Sequence, residues 1–120
     1  MRLCVLLAAA LLAGCSNPAA ITTGLAGVVV RGPVTPVCTE GVPCDAPFSA
    51  TFDVRAEGRV VGAFTSSASG AFSVALRPGS YEIVPRASAP LMNPTAQRRA
   101  VTVEETGITT VRLAFDTGIR

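Results

Sequence analysis

The chain has no histidine, no tryptophan, one tyrosine and no lysine among its ten basic residues. Without histidine or lysine, a serine nucleophile has none of the usual side-chain bases to activate it, and zinc loses its commonest ligand. An excess of one charge is also missing. Ten arginines face eight acids, and removing Arg2 with a leader leaves 9 − 8 = +1. That field is too weak to steer an anionic partner, and the arginines are scattered, so nucleic acid is not an expected partner. Two acid pairs, Asp53 with Glu57 and Glu104 with Glu105, fall at strand or turn surfaces instead of facing one cleft. The expectation is a non-catalytic protein with no cofactor and no metal site.

Long hydrophobic runs are lacking as well. Met1-Arg2 gives a positive start, and the apolar run Leu3 to Leu12 is too short to span a bilayer as a stable helix. It ends in Leu12-Ala13-Gly14-Cys15, which resembles the lipobox of bacterial lipoproteins. The resemblance implies cleavage between Gly14 and Cys15 and acyl chains, palmitate among them, on Cys15. Two or more acyl chains anchor stably, at about 0.8 kcal/mol per buried methylene. Ser16 follows, where an aspartate would suggest inner-membrane retention. By resemblance to that sorting rule, Ser16 favours the outer membrane if the cell has one. The expected layout is a signal peptide over 1–14, helical in the precursor, then a lipidated terminus and tether over 15–23, then one domain over 24–120. The tether spans at most about 28 Å.

Eleven glycines and nine prolines suit a turn-rich all-β chain. Residues 24–31 form a first strand in which Val28-Val29-Val30 could be buried on both faces. A proline-rich loop over 34–47 holds Cys38 and Cys44. The spacing does not match a C-x-x-C redox pair and no second cysteine pair completes a metal site, so a local disulfide in an oxidising compartment is expected. Residues 48–56 alternate, with Phe48, Ala50, Phe52 and Val54 on one face. In residues 59–65 the inward pair is Val61 with Ala63 or Val60 with Phe64; Gly62 marks a bulge or close packing. Next, Phe72, Val74 and Leu76 alternate, Arg77-Pro78-Gly79-Ser80 fits a type II turn, and Tyr81 and Ile83 return as the second arm of a hairpin. After a loop over 85–99 come short strands with Val101 and Val103, then Val111, Leu113 and Phe115.

Seven short strands at regular spacing predict a single β-sandwich. The predicted core is Val28, Val30, Phe52, Val54, Phe72, Val74, Leu76, Tyr81, Ile83, Val101, Val103, Val111 and Leu113. Tyr81 should turn its ring inward and keep its hydroxyl on an edge or a carbonyl.

Gly58-Arg59-Val60-Val61, then residues 66–72 (SSASGAF), then Leu76-Arg77-Pro78-Gly79-Ser80-Tyr81 resemble carboxypeptidase regulatory-like domains. The resemblance covers about residues 24–115 and is best over 66–83. It implies a Greek-key, prealbumin-like sandwich. Ser67 and Ser69 stand where that family usually has acids, which removes the hard anionic ligands calcium would need. Transthyretin-like hydrolases of this fold rely on histidines that this chain lacks. The expected role is an envelope lipoprotein with an accessory domain, partnered by the membrane. The alternative is recognition of a cell-wall glycan or another envelope protein, with Arg98 and Arg99 as candidate contacts. Arg120 beside Asp116 reads as a surface pair.

Overall fold

The computed structural model describes residues 20–120. The signal peptide, Gly14, Cys15 and most of the tether lie outside the described residues. Eight strands follow in order: β1 Gly24–Gly32, β2 Ala46–Pro47, β3 Thr51–Ala56, β4 Arg59–Thr65, β5 Ala71–Ala75, β6 Gly79–Pro85, β7 Arg99–Val103 and β8 Ile108–Asp116. A 3-10 turn at Pro94–Ala96 breaks the loop before β7. The described residues are all-β, in two sheets, apart from this one turn. In the first, β1 is central, with β8 parallel along one side and β5 then β2 antiparallel along the other. The second runs β4-β3-β6-β7, antiparallel throughout.

The sheets close on one core. Leu25 and Val29 from β1, Phe72 from β5 and Leu113 and Phe115 from β8 meet Phe52 and Val54 from β3, Phe64 from β4, Ile83 from β6 and Val101 and Val103 from β7. All five phenylalanines are buried there. Phe72 stacks on Phe64 at 4.3 Å, Phe64 on Phe52 at 5.0 Å, and Phe48 and Phe115 complete the cluster edge-on at 6.3 Å. Such pairs add about 0.5–1.5 kcal/mol each beyond their buried area.

Three sequence expectations are corrected. The inward face of β1 is carried by Leu25 and Val29, while Val28 is half-buried. Val30 is buried on the other side of the strand, at the position paired with Pro47 of β2. Three consecutive valines do not show which of them faces in. Leu25 does, because strand side chains alternate. Second, residues 71–84 are not a hairpin. β5 pairs with β1, whereas β6 pairs with β3 and β7, so residues 76–78 cross from one sheet to the other. Gly79 opens β6 with φ 150, not the φ near 80° of a type II turn. Tyr81 fixes this crossing: its ring packs against the core and its hydroxyl donates to the Arg77 carbonyl at 2.6 Å, as in a tyrosine corner. Third, the loop over 34–47 ends in β2, where Ala46 and Pro47 pair with Arg31 and Val30.

The open register of β4 resolves through a bulge. Val54 pairs with Gly62 and Arg55 with Val60, so Val61 is the extra residue. Phe64 points in, and both valines are exposed.

The connections gather at two ends. Residues 20–23, the β3–β4 turn, the 76–78 crossing and the 104–107 turn share one end, here the entry end. The loops 33–45, 48–50, 66–70 and 86–98 and the C-terminus share the far end.

Candidate functional site

The loop of 34–47 is the most constrained feature of the far end. Cys38 and Cys44 form a disulfide, with Cα atoms 5.6 Å apart, inside the usual range for such a bond. Its base is tied by the Val34 amide donating to the Cys44 carbonyl at 2.9 Å, and Asp45 pairs with Arg112 of β8 at 2.9 Å. Pro43 and a left-handed Gly41 bend the segment between the thiols. The loop presents Val37 and Val42 to solvent at 76% and 59% exposure.

Beside it, the 66–70 turn is built from serine hydroxyls. Ser66 is buried. Its Oγ donates to the Phe48 carbonyl at 2.8 Å and accepts from the Ala50 amide at 3.0 Å, satisfying backbone groups left open where the chain changes sheets. Ser67 Oγ accepts the Ala71 amide at 3.3 Å and lies 2.9 Å from Ser69 Oγ. Ser67 and Ser69 thus bond to the turn and to each other. Gly70 is left-handed at φ 79, and a Cβ there would strike the Val29 carbonyl oxygen.

The structure separates Arg98 from Arg99 in role. Arg98 pairs with Glu82 at 3.1 Å, both side chains being about half exposed. Arg99 bridges the sheets: Nε and Nη2 donate to the Ala114 carbonyl at 3.0 and 2.8 Å, and its guanidinium lies 4.8 Å from the Phe115 ring centre. The arginines do not converge on a common anion site. Arg120 and Asp116 form the expected surface pair at 3.1 Å. That guanidinium, with the Gly118 amide, holds the Asp116 carboxyl below its ordinary value. Asp53 pairs with Arg86 at 2.9 Å. Glu57, Glu104 and Glu105 stay exposed, and among the described residues no group of three metal-ligating side chains forms.

Sequence reasoning missed Gln97. It closes the free edge of β8: Oε1 accepts the Asp116 amide at 2.8 Å, and Nε2 donates to the Asp116 carbonyl at 2.9 Å and the Met92 carbonyl at 2.6 Å. With Arg99 on the Ala114 carbonyl, this occupies the outward groups of 116 and the outward carbonyl of 114. By strand alternation the next outward groups are those of Arg112, Thr110 and Ile108. Among the described residues β8 has only β1 as a strand neighbour, so that stretch is an open edge there. No sequence signal marks a glutamine in a loop as an edge cap.

The entry end is closed by one buried pair of hydrogen bonds. Thr23 is buried, its Oγ1 donates to the Leu76 carbonyl at 2.6 Å, and the Leu76 amide donates to the Thr23 carbonyl at 3.1 Å. Two shallow grooves flank this lock. One of about 290 Å³ is lined by Ile21, Ala56, Val61, Ala75, Leu76, Arg77 and Tyr81. Ile21 also lines the other, of about 230 Å³, which reaches Ile108.

No family model matches the chain, and no curated protein does. Among solved structures the chain is similar to a DUF3823 family protein from Bacteroides ovatus, with a TM-score of 0.51 and 19% identity. The match covers 76% of this chain and 43% of that one, so the chain spans less than half of that protein. The likeness concerns the all-β, sandwich-like fold.

Proposed function

We propose that the protein is a non-catalytic envelope lipoprotein: a lipidated Cys15, a short tether, and one accessory domain of the carboxypeptidase regulatory-like type. In this reading the domain is a seven-stranded Greek-key sandwich of prealbumin type, with the two-residue β2 added by the cysteine loop. The observation that carries the lipoprotein reading is the ordered run of positive start, apolar stretch, small residues and Cys15. It is supported by the domain beginning with Thr23 and β1 only a few residues later. The family reading is supported by the place of its motif. Ser66 to Phe72 makes the turn into β5, and Leu76 to Tyr81 makes the crossing between sheets.

The non-catalytic reading is supported by the side chains. The chain has no histidine, and Asp45, Asp53, Glu82 and Asp116 are each paired with an arginine. Intact-mass measurement of protein extracted from membranes tests the anchor. An acylated Cys15 at the N-terminus is expected, and a different, unmodified first residue overturns it. Purified protein should turn over neither esters nor glycosides; turnover abolished by changing one of its own residues overturns that part.

One observation favours a second role, recognition of an extended segment of another envelope protein. It is the open edge of β8 over 108–112, which offers main-chain pairing for strand addition. A glycan partner is less well supported, since all five phenylalanines are buried and none is left as a stacking surface.

A further inference from the structure

We propose that the entry end of the domain docks against the surface of the bilayer that anchors it, through an apolar rim of Val61, Ile21 and Ile108. The inference rests on the lipid-anchor reading. It adds an orientation and a contact that lipidation alone does not provide.

The rim is continuous across the sandwich. Val61 belongs to one sheet and Ile108 to the other, and Ile21 lines both grooves between them. Their exposures are 51%, 59% and 41% for Val61, Ile108 and Ile21, and Val60 beside Val61 is 52% exposed. Each has a local reason to be outside. Val61 is the bulged residue of β4, and Ile108 is the first residue of β8. Ile21 precedes the locked Thr23, so its position against the domain is set by Thr23 and Leu76.

The reach of the chain selects the occupant. Five residues lie between Cys15 and Ile21, and the six steps span at most about 22 Å of extended chain. The far end lies a further strand length away, about 27 Å for a β1 of nine residues. An acyl-anchored domain therefore has its entry end held within a short distance of the lipid surface. Exposed branched side chains there gain from transfer into the headgroup boundary, as an interfacial helix face does. Charge does not drive the contact. Glu57, Glu104 and Glu105 share this end with Arg59 and Arg77, and the signs nearly cancel. The partner is the apolar boundary of the bilayer, not an ionic headgroup.

The test uses the full lipidated protein in phosphatidylcholine vesicles, with one nitroxide label per variant at Val61→Cys, Ile108→Cys, Val42→Cys or Ile119→Cys. The cysteine introduced is the only free thiol of the lipidated protein, because in this reading Cys4 leaves with the signal peptide, Cys15 carries lipid and Cys38 is bonded to Cys44. Oxygen-over-nickel-chelate accessibility should be about threefold higher or more at 61 and 108 than at 42 and 119, as for side chains dipping into the interface. Equal accessibility at all four positions on vesicle-bound protein overturns the docking while leaving the anchor standing. Spin–spin broadening at 108 would show a second copy on the rim and also overturns it. Failure of the protein to stay with the vesicles overturns the anchor reading and the docking together.

Discussion

The two ends of the sandwich are made of different residues and closed in different ways. The far half of the core is aromatic: Phe48, Phe52, Phe64, Phe72 and Phe115 come from five separate segments and interlock. The entry half is aliphatic, with Leu25, Val54, Leu76 and Val103 around the half-buried Tyr81. Long loops cover the far end, and they are tied by a disulfide and by Ser66, Gln97 and Arg99 reaching into backbone groups. The entry end has short turns and one buried lock, Thr23 on Leu76. Flat rings fill the end that the long loops cover. Polar side chains supply the hydrogen bonds that the ladders cannot supply there.

This contrast can be broken by substitution, and the largest effect should come from the aromatic cluster. Phe52 is fully buried and touches three of the other rings. Phe52→Ala should cost about 3–5 kcal/mol, read as the shift in the urea unfolding midpoint. Next is Ser66→Ala, which strips partners from Phe48 and Ala50 at once. A loss of about 2–3 kcal/mol is expected, with faster amide exchange confined to 48–52 and 66–71. The double change Cys38→Ser, Cys44→Ser should leave a folded protein destabilised by about 2 kcal/mol. Its proteolysis should be faster between Val34 and Pro47 and unchanged at the entry end. Unfolding of that variant at room temperature would show that the loop is no mere cover. At the entry end, Thr23→Val leaves the Leu76 carbonyl without its hydroxyl and should cost about 1–2 kcal/mol. The smallest effect belongs to Asp116. Its depressed carboxyl pKa contributes stability above the ordinary carboxylate range, and this is lost as pH falls through the lower folded value. The pair is exposed, so Asp116→Asn should remove a slight acid-limb slope from an unfolding titration and change little at neutral pH.

The alternating strands were legible because one face of each is buried. Phe52 and Val54, Phe72, Val101 and Val103, and Leu113 all lie where period two puts them. The disulfide was legible from spacing and composition. The partition of strands between sheets was not, because Arg77-Pro78-Gly79-Ser80 has the residues of a hairpin turn. Whether the chain turns back or crosses over depends on which neighbours the next strand finds. Tyr81 holds the crossing with a bond to the Arg77 carbonyl; a carbonyl partner for its hydroxyl was expected, but that does not say which sheet the next strand joins. At the candidate sites, Arg98 and Arg99 look alike in sequence. Only the position of Ala114 on the neighbouring sheet makes Arg99 a bridge and leaves Arg98 in a surface pair.

The parallel pairing of β1 with β8 has a mechanical consequence. β1 starts where the chain enters, and β8 ends at the opposite pole, with the two in register from Gly24 with Ile108 to Gly32 with Asp116. A pull applied between residue 20 and the C-terminus runs along both strands in opposite directions and loads their shared hydrogen bonds side by side, in shear. The same bonds in a hairpin would open one after another, like a zipper. Force applied this way must break the ladder as a unit, so resistance is governed by the unfolding rate and not by the modest equilibrium stability of a small domain.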